Sequence, residues 1–423
     1  GLTATQWIST EFAFSSTKEI SEDYAPYVYA DAVFSCNGAE LTVPLFWDGG
    51  STYKVRFAPT KTGMWNYKIV SRQNKVIGEA SNYWKFDDTL DGLNGSFYVS
   101  AAEETAPEIY KHGFIKEDGK HFSYNDGTPF FYLGDTHWTM LLEEYDTRFK
   151  YIADKRAEQG FTVYQSQPIT DSTTPLFDFT DHNVSLRDIE GMKTVDKYFD
   201  YIAQKGFVHA NGCLFFEDAF RKADESGNTN LKNDYNYLKA ITRHWVARYS
   251  AYPVIWTLAQ EADSEKNNVY ASNDNPWIKI ARYINDYDAY SHPLTAHQET
   301  AEKITASNSL FTLAEKDGIT TGHSFFGAQW KPSRLNGNTD FTPFKDYYYS
   351  QKPTVMYESY YENYKTKAYG ARVEGYTAYL TGMCGFGYGV SDIWHLLNDD
   401  DVNLTKPSNN DGFDTVTVED KLT

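Results

Sequence analysis

The chain has 423 residues and a formal net charge of -19 at pH 7, which repels phosphate backbones and anionic lipid surfaces. We therefore expect no nucleic-acid partner, and no apolar stretch is long enough to insert into a membrane. The length favours two domains. The three cysteines, Cys36, Cys213 and Cys384, are scattered along the chain, so they indicate neither a disulfide scaffold nor a paired-cysteine zinc site.

The sequence of residues 1 to 104 has the pattern of a small all-β domain. Short alternating runs such as "LTVPLFW", "TYKVRFAP" and "MWNYKIV" are separated by Gly, Asp, Pro and Asn. Alternation with period two and closely spaced turn residues are typical of an antiparallel β-sandwich. We predict such a module in front of a second domain.

Residues 105 to 423 change to strand-length apolar runs that alternate with longer amphipathic segments. This pattern predicts repeated βα units around a parallel sheet, and eight of them close most simply as a (β/α)8 TIM barrel. The predicted strands are residues 130–136, 161–167, 207–216, 254–261, 294–299, 319–324, 354–359 and 386–394.

Two of the intervening helices have clear signals. "TRFKYIADKRAEQGF" and "TVDKYFDYIAQKGF" both space apolar residues by three and four positions and both end before a glycine, Gly160 or Gly206. Each helix stops just ahead of a predicted strand, as a βαβ unit requires. The polar tail after residue 398 gives the weakest helix signal of the barrel.

Two predicted strands end on glutamate. Glu261 follows "VIWTLAQ" on strand 4 and Glu358 follows "TVMY" on strand 7. Because the C-terminal ends of barrel strands surround the catalytic pocket, these carboxyls are expected to face each other across the barrel mouth. A carboxyl pair in that position can divide the labour of glycoside cleavage between a nucleophile and a general acid. The high aromatic fraction, 17%, also suits a carbohydrate partner.

Other side chains at predicted strand ends are candidates for substrate contact. Each also has a structural interpretation: an aspartate can cap a turn, a histidine can be satisfied within the core, and a tryptophan can belong to the wall. Glu217 and Asp218 after strand 3 are a rival acid pair, but adjacent strand residues point opposite ways. The candidates are Asp135, His137, Trp138, Gln260, His297, His323, Trp330, Tyr357 and Trp394.

Two alternative functions remain open. His137, His297, His323 and Asp392 occupy positions resembling those of metal-dependent barrel hydrolases, although the usual His-x-His pair on the first strand is missing. We therefore predict no metal and no cofactor. A noncatalytic carbohydrate-binding barrel would keep the fold without the chemistry.

Three longer motifs carry a family resemblance. "PFFYLGDTHW", "YIADKRAEQGF" and "GYTAYLTGMCGFGYGVSDIW" resemble the apiosidase-like glycoside hydrolases, relatives of glycoside hydrolase family 140, over roughly residues 112 to 400. The first hundred residues resemble the β-sandwich module often found in front of such barrels. The resemblance implies a retaining enzyme in which Glu261 is the acid/base and Glu358 the nucleophile.

The chain departs from the wider clan of retaining barrels beside the acid/base. Gln260 stands where Asn usually holds the sugar 2-hydroxyl. The chain also has "AQE" where the apiosidase-like pattern often has Gly-Gly-Asp, so apiose is not carried over as the substrate. We expect a glycoside hydrolase acting on a plant, algal or microbial polysaccharide, exported by a bacterial cell. The sequence leaves the oligomeric state open.

Overall fold

The structure, a computed structural model, describes residues 2–71, 84–167, 179–180, 183–212, 235–258, 260–262, 275–301, 303–330, 341–362, 365–366, 368–390 and 393. Cys213, the end of the third predicted strand, Glu217, Asp218, Asp392, Trp394 and the polar tail lie outside these residues.

The N-terminal module is a two-layer β-sandwich, as predicted. Phe34 of one sheet stacks on Phe57 of the other with ring centroids 3.8 Å apart, at the centre of a shared core. One edge strand pairs in parallel, which the expected antiparallel pattern did not include. The larger sheet has the order Thr3–Thr5, Asn94–Ser100, Gly63–Ser71, Ala30–Cys36 and Ala39–Pro44, and the smaller one Thr10–Ser15, Thr52–Phe57 and Phe46–Trp47.

The second domain is a parallel β-barrel surrounded by helices, which confirms the predicted fold. Strand 5 is interrupted at Ala296; its first part pairs with strand 4 and its second part with strand 6, so the sheet closes. The barrel strands 1 to 8 are Tyr132–Thr136, Val163–Ser166, Val208–Gly212, Val254–Thr257, Leu294–Thr295 with His297–Thr300, Phe326–Gln329, Thr354–Glu358 and Gly385–Tyr388.

Strand 6 corrects one prediction. It runs over Phe326–Gln329 and not over residues 319–324, which approach it as irregular backbone with Gly322 at a φ of +70°. Gly327 lies inside the strand, where a Cβ would lie 3.0 Å from the Ala296 carbonyl oxygen and 3.3 Å from Tyr357 Cδ2. A glycine inside a strand is typical of such a close approach by neighbouring groups.

Helices cover the outside of the barrel. Both helices predicted in detail are confirmed, and the glycines that end them, Gly160 and Gly206, have φ values of +83°. The first of them is entered through a π-helical turn, Tyr145–Phe149. Within the described residues the α-helices are Glu108–His112, Lys150–Glu158, Ile189–Gln204, Tyr235–Tyr249, Pro276–Tyr287, Leu310–Lys316, Thr342–Tyr349 and Ala368–Leu380, and 3₁₀ turns span Ala25–Tyr27 and Met140–Leu142. None of the helices in the described part of the chain has the length and apolar character needed to cross a membrane.

A small antiparallel sheet closes the N-terminal end of the barrel. Its middle strand places Phe122 against Phe325, with ring centroids 5.1 Å apart, in a core shared with the barrel interior. The strands are Ile115–Asp118, His121–Tyr124 and Pro129–Phe130. The open end is therefore the opposite one, where the strands finish; we call it the mouth. The described residues also form two short two-stranded sheets. One pairs Phe179–Thr180 with Asn183–Val184, and the other pairs Tyr361–Glu362 with Lys365–Thr366.

Candidate active site

Glu358 reaches the mouth through a β-bulge. Ala328 of strand 6 pairs with Met356, but the next residue, Gln329, pairs with Glu358, so Tyr357 is an extra residue on strand 7. A bulge re-aims the side chains that follow it. Tyr357 points into the barrel, where its hydroxyl lies 2.7 Å from Thr257 Oγ1, and Glu358 still projects into the mouth with its side chain 13% exposed.

His297, on strand 5, connects the two glutamates predicted to be catalytic. The backbone N–H of Glu261 donates to His297 Nδ1 at 3.2 Å, and Nε2 lies 2.9 Å from Glu358 Oε2. A backbone N–H can only donate, so Nδ1 carries no proton in this arrangement. The imidazole is therefore neutral and donates its Nε2–H to the Glu358 carboxylate.

Glu261 lies in a turn after strand 4 that is fixed to strand 5. Its φ is +47°, a left-handed conformation that costs a residue with a Cβ roughly 1–2 kcal/mol. The bond to His297 and a bond from Ala262 N to the His297 carbonyl, 3.1 Å, hold the turn in place. Gln329 Nε2 lies 3.2 Å from Glu261 Oε1 and orients the carboxyl itself. Backbone strain maintained by surrounding contacts is a feature of functional sites.

Tyr361 supplies a second hydrogen bond to Glu358. Burial, and then the nearby negative charge of Glu358, raise the pKa of Tyr361 well above its ordinary value, so its hydroxyl keeps its proton. Trp138 Nε1 donates to the same hydroxyl at 2.9 Å, which directs the hydroxyl proton toward the carboxylate. A Cβ at Gly389 would overlap the Tyr361 ring, so this glycine leaves the space that the ring occupies.

Asp135 and His137 do not face the mouth, contrary to prediction. Tyr132 and Thr136 of strand 1 point inward and hydrogen-bond to the buried Gln165, so Asp135 between them points outward. It accepts from Arg156 Nε at 2.7 Å and is almost fully buried. His137 is also fully buried, with Nδ1 2.5 Å from the Tyr164 hydroxyl and Nε2 3.4 Å from Glu143. Both are structural residues of the barrel wall.

Two further candidates lie beside or below the site. Tyr357 is fully buried under Trp138 and His297 and supports them from within the barrel. Trp330 donates its backbone N–H to the Glu358 carbonyl, but its ring packs on Phe344 in a core cluster outside the barrel. The prediction that these two rings form the walls of a sugar subsite is therefore wrong.

His323 lies at the other end of the barrel from the mouth, because strand 6 starts after it. Its ring stacks on Phe311, centroids 4.7 Å apart, and its Nδ1 is 3.3 Å from Lys352, just before strand 7. Glu358 follows Lys352 by six positions, which span about 20 Å of extended chain. His323 and His297 thus cannot bind one ion, and the described residues contain no group of three or more His, Cys, Asp or Glu arranged to hold a metal.

Of the remaining predicted residues, Gln260 lies partly exposed beside Glu261, and Trp138 is 3% exposed against His297. Trp394 is outside the described residues. The sequence analysis missed Tyr361 and Gln329. Tyr361 was hidden in the tyrosine-rich run "YESYYENY", and Gln329 could not be placed once strand 6 was assigned too early.

Comparison with known proteins gives two family matches. A model of the apiosidase-like catalytic domain matches residues 116–411, and a model of a domain of unknown function, DUF5060, matches residues 3–72. The search of curated proteins gives no significant match.

The chain is also similar to solved structures. A Bacteroides vulgatus ATCC 8482 protein described as a glycoside hydrolase is 19% identical, with a TM-score of 0.65, and the match covers 92% of this chain and 72% of that one. A family 5 glycoside hydrolase of the same organism is 18% identical (TM-score 0.52; 70% and 66% covered). A β-mannanase from the blue mussel Mytilus edulis is 14% identical (TM-score 0.50; 66% and 91% covered). At these identities the similarity establishes the fold alone.

Proposed function

The chain belongs to the apiosidase-like family of glycoside hydrolases, and on that premise we propose that it cleaves glycosidic bonds by a retaining double displacement. One observation carries the proposal: His297 hydrogen-bonds to the carboxylate of Glu358 and to the backbone of Glu261 at the same time. A single neutral ring thereby connects the Glu358 carboxylate at the end of strand 7 to the backbone of Glu261 after strand 4, which supports one shared site for a nucleophile and an acid/base.

In the first step Glu358 acts as the nucleophile. One carboxylate oxygen attacks the anomeric carbon while the bond from that carbon to the leaving oxygen breaks, and the proton of the Glu261 carboxyl passes to the leaving oxygen. His297 and Tyr361 each donate a hydrogen bond to Glu358, which orients the carboxylate for attack.

In the second step Glu261 acts as the base. It takes a proton from water, the water oxygen bonds to the anomeric carbon, and the ester bond to Glu358 breaks. Glu358 returns as a carboxylate and Glu261 as a carboxylic acid, so protons balance over the cycle. The donors on Glu358 favour this step, since they stabilise the negative charge that returns to its oxygen. The cycle requires no cofactor.

The substrate class follows from the family and from the aromatic surroundings of the pair. We propose a plant, algal or microbial polysaccharide that is neutral or decorated, cleaved outside a bacterial cell. Trp138 and Tyr361 provide rings of the kind that line sugar sites, although only parts of them reach the mouth.

The test is product release from a panel of polysaccharides. Wild type is compared with Glu358→Gln and, as a matched glutamate control, with Glu315→Gln, whose carboxylate pairs with Lys352 at the far end of the barrel. A parallel wild-type sample contains a chelator. The proposal expects cleavage that is lost in Glu358→Gln, kept in Glu315→Gln and unaffected by the chelator. Loss to the chelator would favour metal chemistry, and binding without cleavage on the whole panel would favour a noncatalytic barrel.

A further inference from the structure

Gln329 is the last residue of strand 6 and lies between its two neighbouring strands. Its carbonyl accepts from Ala301 N at 2.8 Å, and its backbone is in register with Thr300 of strand 5 and Glu358 of strand 7. The residue is only 4% exposed, so its side chain is buried beside the site. Its Nε2 reaches Glu261 Oε1 at 3.2 Å.

Only one end of the Gln329 amide is used. Its Oε1 is buried and has no hydrogen-bond partner among the described residues. Most buried polar atoms in proteins are paired, so an unpaired one calls for an explanation. Here the unpaired acceptor belongs to the group that already contacts the Glu261 carboxyl. The amide of glutamine can turn about its last bond and exchange its donor and acceptor ends.

We propose that Gln329 is a positioning residue that holds Glu261 in both of its protonation states. It donates from Nε2 to the ionised carboxylate and, after the amide turns, accepts at Oε1 from the carboxylic acid. This inference rests on the proposed function, in which Glu261 alternates between acid and base. No proton passes to Gln329, since the proton moves only between Glu261 and the leaving group or water.

The chemistry explains why an amide stands at this position. A lysine or arginine would donate only, and its charge would hold Glu261 in the ionised state. A carboxylate would repel the ionised form of Glu261. A neutral group with a donor and an acceptor on one rotatable unit can pair with both forms.

Removing the amide has an expected sign. Hydrogen bonds to a charged acceptor are stronger than those between neutral groups, so the ionised form of Glu261 loses more stabilisation than the acid form. In Gln329→Met the Glu261 carboxyl is therefore expected to ionise about one pH unit higher than in wild type. Gln329→Glu is expected to move it in the same direction through like-charge repulsion.

The test follows the ionisation directly. Protein labelled with ¹³C at the glutamate carboxyl carbon is titrated by NMR, and the signal absent from Glu261→Gln identifies Glu261. Gln298→Met is the matched control. Gln298 is a buried glutamine in the second part of the neighbouring strand 5, and its Oε1 accepts a hydrogen bond from the Tyr347 hydroxyl, 2.9 Å away. Thermal unfolding of each variant checks folding.

We expect the Glu261 signal to titrate about one unit higher in Gln329→Met than in wild type or Gln298→Met. In kinetics, the basic limb of kcat/KM is expected to move by a similar amount for substrates with poor leaving groups. An unchanged midpoint in folded Gln329→Met overturns the inference, even if wild type cleaves glycans. A shifted midpoint in a protein that cleaves no glycan supports the contact and refutes the proposed function instead.

Discussion

Replacing Asp196 with asparagine is expected to cost about 3–5 kcal/mol of folding free energy, because it removes the shared anion from a buried charge network. Asp196 lies on a barrel helix and accepts from Arg56 of the N-terminal module at 2.6 and 3.1 Å. Arg248, on another barrel helix, donates twice at 2.9 Å, and the Tyr249 hydroxyl adds a fifth bond at 2.9 Å. This carboxylate therefore joins the module to two barrel helices.

The expected loss of folding free energy follows from the buried arginine charges that the substitution leaves uncompensated. Arg56 and Arg248 are almost fully buried, and without the Asp196 charge they repel each other in a poorly solvated space. Breaking a buried ion pair by removing one partner costs more than the pair contributes over two neutral groups, since an uncompensated charge remains. Asp48 still pairs with Arg248 at 3.0 Å, which keeps the estimate at a few kcal/mol.

The contribution of Asp196 to folding stability depends on pH. Burial alone would raise the pKa of Asp196, but the charges and hydrogen bonds of Arg56 and Arg248 together hold it well below its ordinary value. A depressed pKa contributes stability that is fully present above the unfolded-state value, about 4, and is lost as pH falls toward the folded-state value. Below about pH 4, stability should therefore decline less steeply in Asp196→Asn than in wild type.

The assay is urea unfolding, followed by tryptophan fluorescence, at several pH values. Asp146→Asn is the control, since Asp146 forms an exposed pair with Lys150 and should contribute little. The reasoning fails if folded Asp196→Asn has wild-type stability at pH 7, or if its stability depends on acid pH in the same way as wild type.

Three further predictions concern the site and its wall. His297→Phe keeps the ring packing but removes the hydrogen bond to the Glu358 carboxylate, so the acidic limb of kcat/KM is expected to rise by about one to two pH units; an unmoved limb would contradict the assigned tautomer. Gly389→Ala is expected to displace the Tyr361 ring and lower kcat about tenfold or more, as Tyr361→Phe should; wild-type rates in both would refute a role for that hydroxyl. His137→Phe is expected to lower the unfolding temperature without changing KM, and a change in KM alone would restore His137 as a substrate contact.

The sequence predicts most of the barrel because parallel strands and their helices leave strong periodic signals. It also predicts that Glu261 and Glu358 lie at the same end of the barrel, where His297 contacts both of them. Strand 6 is misplaced because "ITTGHS" and "FFGAQW" are neighbouring runs of strand length that each contain one glycine, and local sequence does not distinguish between them. The contacts of Gly327 with Ala296 and Tyr357, each about thirty positions away, do not appear in any local pattern.

Side-chain direction was harder to predict than strand position. Side chains of strand 1 alternate between the inner and outer faces of the barrel. Which of them point inward is set by Gln165 of strand 2, which hydrogen-bonds to Tyr132 and Thr136. Asp135 consequently turns toward Arg156. On strand 7 the bulge at Tyr357 changes which face the following side chains point to. This change is visible only in the pairing with strand 6.

The central claim is that Glu358 is the nucleophile and Glu261 the acid/base, and azide rescue tests it most directly. Glu358→Ala and Glu261→Ala are each incubated with azide and an activated glycoside of the sugar that the panel identifies, and NMR determines the anomeric configuration of the glycosyl azide.

The account predicts inverted azide from Glu358→Ala, since azide replaces the missing carboxylate in a single displacement. It predicts retained azide from Glu261→Ala, where azide attacks the glycosyl-enzyme in a second displacement. Retained product from Glu358→Ala, or turnover by that variant close to wild type without azide, would contradict the assignment.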